Sequence, residues 1–108
     1  MKRLEFLRTL VDSGAADAFA RYGLAMEYRK LGRLEESAEV FEALLRAEPE
    51  YLPQYLMAAQ VLSELGRGPE ATARVEAGIA LARTLGNHHA LSELEAFRRV
   101  GASRRRAD

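Results

Sequence analysis

The tripeptide Leu31-Gly32-Arg33 returns 34 residues later as Leu65-Gly66-Arg67. Sliding the chain by that interval pairs Arg21 with Tyr55, Leu24 with Ala58, Ala25 with Ala59 and Tyr28 with Leu62. It also pairs Glu36 with Glu70, Phe41 with Val75, Ala43 with Ala77 and Leu45 with Ile79. Most of these pairs keep apolar or small character. A recurrence this long exceeds any helical turn and marks a supersecondary unit used twice. Such a unit cannot bury its apolar face alone, so neighbouring units must supply the core.

Each unit reads as two helices. From Asp17 to Leu31 the apolar positions Ala20, Leu24, Ala25, Tyr28 and Leu31 follow one helical face, and Gly32 closes it. A second face runs through Leu34, Ala38, Phe41, Leu44 and Leu45 to Ala47. Pro49 ends it, because a proline pushes the residue before it out of helical geometry. The second unit opens near Tyr51 with Pro53 in a first turn. It carries Leu52, Tyr55, Leu56, Ala59, Leu62 and Leu65 before Gly66. Gly68-Pro69 opens the next helix, whose face is Ala71, Val75, Ile79 and Ala82. Half units flank the pair. Leu4, Leu7, Leu10 and Val11 align by the same shift with the second helix of a unit. Asn87 is a candidate N-cap for a last helix through Leu91, Leu94, Phe97 and Val100. No stretch alternates at a period of two, so the expectation is all-α with about six helices. The divisions are an incomplete repeat over 2–13, repeats over 17–50 and 51–85, and a capping helix over 87–100. Together they form one domain over 1–100, followed by an Arg-rich disordered tail over 101–108.

Composition narrows the function classes. Sixteen Lys+Arg balance 16 Asp+Glu, which argues against a protein coating nucleic acid or an anionic membrane over its whole surface. The absence of cysteine excludes a disulfide scaffold, a thiolate zinc site and a cysteine nucleophile. Met1 to Ser13 interleaves charge with apolar residues, so no signal peptide is expected, and no apolar run is long enough for a membrane span. A cytoplasmic protein is the expectation.

With Leu24, Tyr28, Phe41 and Pro49 at their spacing and Gly32 at the turn, the first unit resembles the tetratricopeptide repeat family. The second resembles it through Tyr55, Ala59, Gly66 and Ala71. Arg21 departs from the usual aromatic, Ala25 keeps the usual small residue, and Ser37 replaces the usual Ala. Leu62 replaces the Tyr, and Arg83 replaces the Pro, which implies a second helix extended to about Leu85. The resemblance spans about residues 3–100 and looks like the small bacterial proteins with two such repeats and flanking helices. It implies a right-handed superhelix of helical hairpins and a non-catalytic adaptor or scaffold.

The family's first helices line a concave groove, so the resemblance implies groove positions. In the first unit these are Phe19, Tyr22, Gly23, Met26, Arg29 and Lys30; in the second, Pro53, Leu56, Met57, Gln60, Ser63 and Glu64. Phe19, Tyr22, Met26, Leu56 and Met57 would form an apolar floor, of a kind suited to adaptable contacts. Arg29, Lys30 and Glu64 would add polar contacts at the rim. The basic and Asn residues with which chaperone-binding members clamp a C-terminal carboxylate are replaced here by Gly23, Met26, Met57 and Gln60. The expected partner is therefore an extended or helical protein segment held by apolar contact. The same floor packed against a second copy is the alternative, a homodimeric structural module.

No other cluster assembles a chemistry. His88 and His89 are adjacent and so point apart, and His89 with Glu93 supplies two ligands where a metal needs more. Glu35, Glu36, Glu39 and Glu42 lie early on a helix, where acids complement its dipole. Gly66-Arg67-Gly68 lacks the remainder of a phosphate loop. Arg98, Arg99, Arg104, Arg105 and Arg106 concentrate positive charge near the C-terminus. Without aromatic stacking residues they would give mainly salt-sensitive, unspecific contact with nucleic acid, which leaves nucleic-acid binding through this C-terminus as a remote alternative only. No catalytic residue, metal or cofactor is expected.

Overall fold

In the computed structural model the backbone is described for residues 2–107 and side chains for residues 2–101. Those residues form six α-helices and no strand: α1 (Lys2–Asp12), α2 (Ala18–Lys30), α3 (Leu34–Ala47), α4 (Pro53–Glu64), α5 (Gly68–Leu85) and α6 (His88–Ala107). The architecture is all-α, built of helical hairpins, and the chain divides into two compact units, residues 1–54 and 55–108. Apart from Gly101, the Arg-rich stretch 101–108 lies outside the residues with described side chains.

The helix ends follow from local sequence. Leu31 caps α2, Gly32 takes φ +77°, the Gly32 N–H donates to the Arg29 carbonyl and the Arg33 N–H donates to the Tyr28 carbonyl. This left-handed closure satisfies two carbonyls that the helix end leaves open, and a side chain at Gly32 would be strained there. The same pattern closes α4, where Gly66 has φ +77° and the Arg67 N–H donates to the Leu62 carbonyl at 2.8 Å. At the helix starts, Asp17 Oδ1 accepts from the Ala20 N–H at 2.8 Å and Asn87 Oδ1 from the Ala90 N–H at 3.0 Å. Asn87 thus caps α6 as its position suggests.

In the first unit α1 and α3 both pack on α2. Leu4 and Leu7 meet Leu24 and Tyr28, with Val11 and Val40 packed against them. Ala25 and Ala38 are fully or almost fully buried, which lets α2 and α3 approach closely, and Phe41 and Leu44 complete the buried face of α3. Ser37 occupies the position where the family favours Ala, and here its buried Oγ donates to the Ala25 carbonyl at 2.7 Å. The hydroxyl ties α3 to α2 with a satisfied hydrogen bond. Gln54, completely buried, donates from Nε2 to the Glu48 carbonyl at 2.7 Å and so braces the loop after α3.

In the second unit α5 packs on α6. Tyr55, Ala59, Leu62, Ala71, Val75, Ile79 and Ala82 are buried together with Leu94. Gly78 permits a close approach. A Cβ built there would stand 2.7 Å from Tyr55 Cβ and 3.2 Å from both δ-carbons of Leu94. Ion pairs flank that contact, Arg98 to Glu76 at 3.1 Å and Arg83 to Glu95 at 3.6 Å.

Two residues read as core from their spacing are exposed. Leu31 is 42% exposed because it is the C-cap, beyond the last residue that neighbours enclose. Val100 is 53% exposed. At about 100° per residue it points roughly 120° away from the buried Leu94, while Gly101 lies closer to the buried stripe.

Candidate protein-binding surface

Phe19, Tyr22, Met26, Arg29 and Lys30 all lie on α2 in the first unit. Phe19 is 71% exposed, Lys30 is exposed, and Tyr22, Met26 and Arg29 are half-buried. Phe19, Tyr22 and Met26 are three and then four residues apart, the spacing of one helical stripe. The stripe is held from beneath. The Tyr22 ring meets Phe41 edge-on at 6.2 Å between centroids and tilts against Tyr51 at 5.7 Å. Burial pushes the Tyr22 hydroxyl above its usual pKa; the Tyr51 hydroxyl adds to the shift and Arg29 opposes it. Tyr22 is therefore an anchored, neutral platform, and Phe19 projects beyond it.

Leu56, Met57, Gln60 and Glu64 lie on α4 in the second unit. Leu56, Met57 and Gln60 are half-buried and Glu64 is exposed. Ala58, Ala59, Val61 and Leu62 of the same helix are fully buried, so Leu56, Met57 and Gln60 border its core side.

Each second helix begins with an arginine–glutamate fork. The Arg33 side chain donates from Nε and Nη2 to the two carboxylate oxygens of Glu36, both at 2.6 Å. Arg67 and Glu70 repeat the fork one interval later, at 2.9 and 2.6 Å. These hydrogen bonds hold Glu36 and Glu70 below the usual carboxylate range. Arg33 also lies over the Tyr28 ring, 4.9 Å from its centroid. The Arg-x-x-Glu after each Leu-Gly was the signal available in the sequence.

A cleft of about 380 Å³ in the first unit involves none of the anticipated residues. Val11, Tyr28, Val40 and Ala43 line it together with Arg8, Arg21, Glu36 and Glu39. Its walls carry both signs of charge and no nucleophile. His89 Nε2 lies 3.5 Å from Glu93 Oε1 on an exposed turn. Among the described residues no group of three or more His, Cys, Asp or Glu is placed to hold a metal ion. No helix among them is long and apolar enough to cross a membrane.

No family model matches the chain, and no curated protein matches it significantly. Solved structures do. A crystal structure of a tetratricopeptide repeat domain protein from Salinibacter ruber is 30% identical, with a TM-score of 0.77, covering 82% of this chain and 98% of that one. A solution structure of a tetratricopeptide repeat domain protein from the same organism is also 30% identical, with a TM-score of 0.75 over 79% and 86% of the two chains. The solution structure of a Bordetella parapertussis protein shares the fold at 23% identity, with a TM-score of 0.80 over 94% of this chain and 88% of that one. With the 34-residue recurrence, the two glycine-closed hairpin turns and 30% identity across nearly the whole of a solved repeat domain, the chain belongs to the tetratricopeptide repeat family.

Proposed function

We propose that this protein is a non-catalytic adaptor that takes an extended or helical protein segment on the open faces of its first-in-pair helices. The family fold is in general a scaffold for protein interaction, which supports an adaptor role. The observation that carries the assignment of the binding faces is the α2 stripe. Phe19 stands 71% exposed at its head, and the anchored Tyr22 and half-buried Met26 continue it. An exposed Phe beside a fixed aromatic platform offers apolar area at small conformational cost. Arg29 and Lys30 follow at the end of the helix and can meet acidic groups on the bound segment. In the second unit Leu56 and Met57 offer the same kind of apolar chemistry on α4, with Gln60 and Glu64 supplying polar contacts. Thioether and aromatic surfaces adapt to varied side chains, so the recognition is by shape and apolar area, and no cofactor takes part.

The test is affinity capture from cells of the source organism with the wild type, Phe19→Glu and Met57→Glu side by side. Far-UV circular dichroism and the melting temperature serve as fold controls. A protein retained by the wild type and lost from both variants, with the fold intact, supports the reading. Equal retention by all three overturns the assignment of these faces. Loss of a wild-type dimer in either variant would favour self-association through the same residues, the competing reading. Contact with nucleic acid through the Arg-rich C-terminus ranks below both and would show as oligonucleotide retention that disappears on deletion of residues 102–108.

A further inference from the structure

The cleft of the first unit takes residues from α1, α2 and α3 and none from the proposed binding faces. Its volume of about 380 Å³ falls within the range of roughly 300–1,000 Å³ found for small-molecule sites. The apolar part of the lining is Val11, Tyr28, Val40 and Ala43. It is held in place by the core. Val11 and Val40 pack on the cluster of Leu4, Leu7, Leu24 and Tyr28, and Tyr28 itself is 6% exposed.

Four charged side chains complete the lining, and only one of them is engaged. Both carboxylate oxygens of Glu36 accept from Arg33 at 2.6 Å. Arg8, Arg21 and Glu39 form no side-chain hydrogen bond or ion pair among the described residues. Arg8 and Glu39 are exposed and Arg21 is half-buried. Two guanidiniums and one carboxylate therefore border one apolar lining without partners of their own. A simple anion would meet Glu39, and a simple cation would meet two arginines. An apolar molecule would strip water from all three charges and replace none of it. A ligand with a carboxylate, an ammonium and apolar side chains satisfies every group, because a guanidinium takes a carboxylate in two parallel hydrogen bonds and Glu39 takes the ammonium.

The spacing sets the length of that ligand. Arg8, Arg21 and Glu39 stand on three different helices, and packed helix axes lie about 8–10 Å apart. A single amino acid carries both charges on one carbon, too close together to serve separate helices. The ends of an extended chain of two or three residues lie about 7–11 Å apart. We propose that this cleft binds a free peptide of two or three residues with apolar side chains. Its C-terminal carboxylate sits on Arg8 and Arg21, its N-terminal ammonium on Glu39, and its side chains on Val11, Val40 and Ala43. So small a ligand buries few atoms, so the dissociation constant is on the order of 0.1–1 mM.

Titration of the isotope-labelled full chain with leucyl-leucine, followed by heteronuclear NMR, tests this. N-acetyl-leucyl-leucine, which lacks the ammonium, and leucyl-leucinamide, which lacks the carboxylate, are titrated beside it. The expected result is saturable shifts of the Val11, Tyr28, Val40 and Ala43 amides, with leucyl-leucine at least about fivefold tighter than either blocked peptide. Glu39→Gln should weaken leucyl-leucine about fivefold and leave the acetylated peptide unchanged. Arg21→Gln should weaken both of these and leave the amide unchanged. Neither residue is ion-paired in the free chain, so both variants should keep the wild-type circular dichroism spectrum and melting temperature. Phe19→Glu and Met57→Glu should bind leucyl-leucine as the wild type does, so this proposal and the adaptor reading fail separately. No saturable shift up to about 20 mM, equal affinity for the three peptides, or an unchanged leucyl-leucine affinity in Glu39→Gln or Arg21→Gln overturns the proposal.

Discussion

One substitution made at two glycines should have opposite consequences, and the two outcomes together test the packing argument. Gly78 and Gly23 both lie inside helices, α5 and α2. Glycine in a helix interior costs about 0.5–1 kcal/mol relative to alanine through backbone entropy, so each Gly→Ala change starts with that gain. At Gly23 the added Cβ would meet Arg3 Nη2 at 3.7 Å and the Leu7 δ-carbons at 3.8 and 3.9 Å, ordinary contacts. Nothing must move, and Gly23→Ala should stabilise by about 0.5–1 kcal/mol. At Gly78 the Cβ would stand 2.7 Å from Tyr55 Cβ, about 1 Å inside the carbon–carbon optimum of roughly 3.5–4.0 Å. Tyr55 Cβ is fixed to its backbone and cannot swing aside, and both Leu94 δ-carbons at 3.2 Å close the other direction. Overpacking of this kind costs about 1–3 kcal/mol, which outweighs the helical gain, so Gly78→Ala should destabilise by about 1–2 kcal/mol. At about 4–8 °C per kcal/mol for a domain near this size, the two variants should melt on opposite sides of wild type. Thermal and urea unfolding followed by circular dichroism at 222 nm read both. A Gly78→Ala protein as stable as wild type would refute the claim that this glycine is required for the approach of Tyr55 and Leu94.

Phe41→Ala removes a side chain that is 1% exposed and also the edge contact to Tyr22. It should cost about 3–5 kcal/mol, a large share of a typical stability of about 5–15 kcal/mol, and urea denaturation would show a collapsed midpoint. The pH dependence has two limbs. Glu36 and Glu70 are lowered from 4.5 by their arginine forks, so their contribution is complete above that value and is lost as pH falls through the lowered folded values. Stability profiles of wild type and the Arg33→Gln/Arg67→Gln double variant should therefore converge in acid, and parallel curves would contradict this. Tyr22 and Tyr51 are raised from 10.0 by burial, so their contribution is complete below that pH and is lost as pH rises through the folded values. The alkaline decline should soften in Tyr22→Phe, read by thermal melts above pH 10.

The sequence determined what depends on neighbours within a few residues. Helix periodicity, the glycines that close α2 and α4, the caps at Asp17 and Asn87 and the 34-residue recurrence are local patterns, and each imposes a conformation on its own segment wherever it occurs. They sufficed for an all-α chain of six helices in repeated hairpins and for the family. They also placed Phe19, Tyr22 and Met26 on one stripe of α2, because equal spacing along a helix is equal direction around it. What spacing could not specify is which residue ends the enclosure, as Leu31 and Val100 show by their exposure. The tertiary structure decided how far apart side chains from different helices come to rest. Only packing makes Gly78 indispensable between Tyr55 and Leu94, turns Ser37 toward the Ala25 carbonyl, and clamps Tyr22 between Phe41 and Tyr51 while leaving Phe19 and Phe6 open. These contacts join residues distant in the chain, and their energies change over tenths of an ångström. A pattern of residue types carries direction, but distance is settled only when the helices meet.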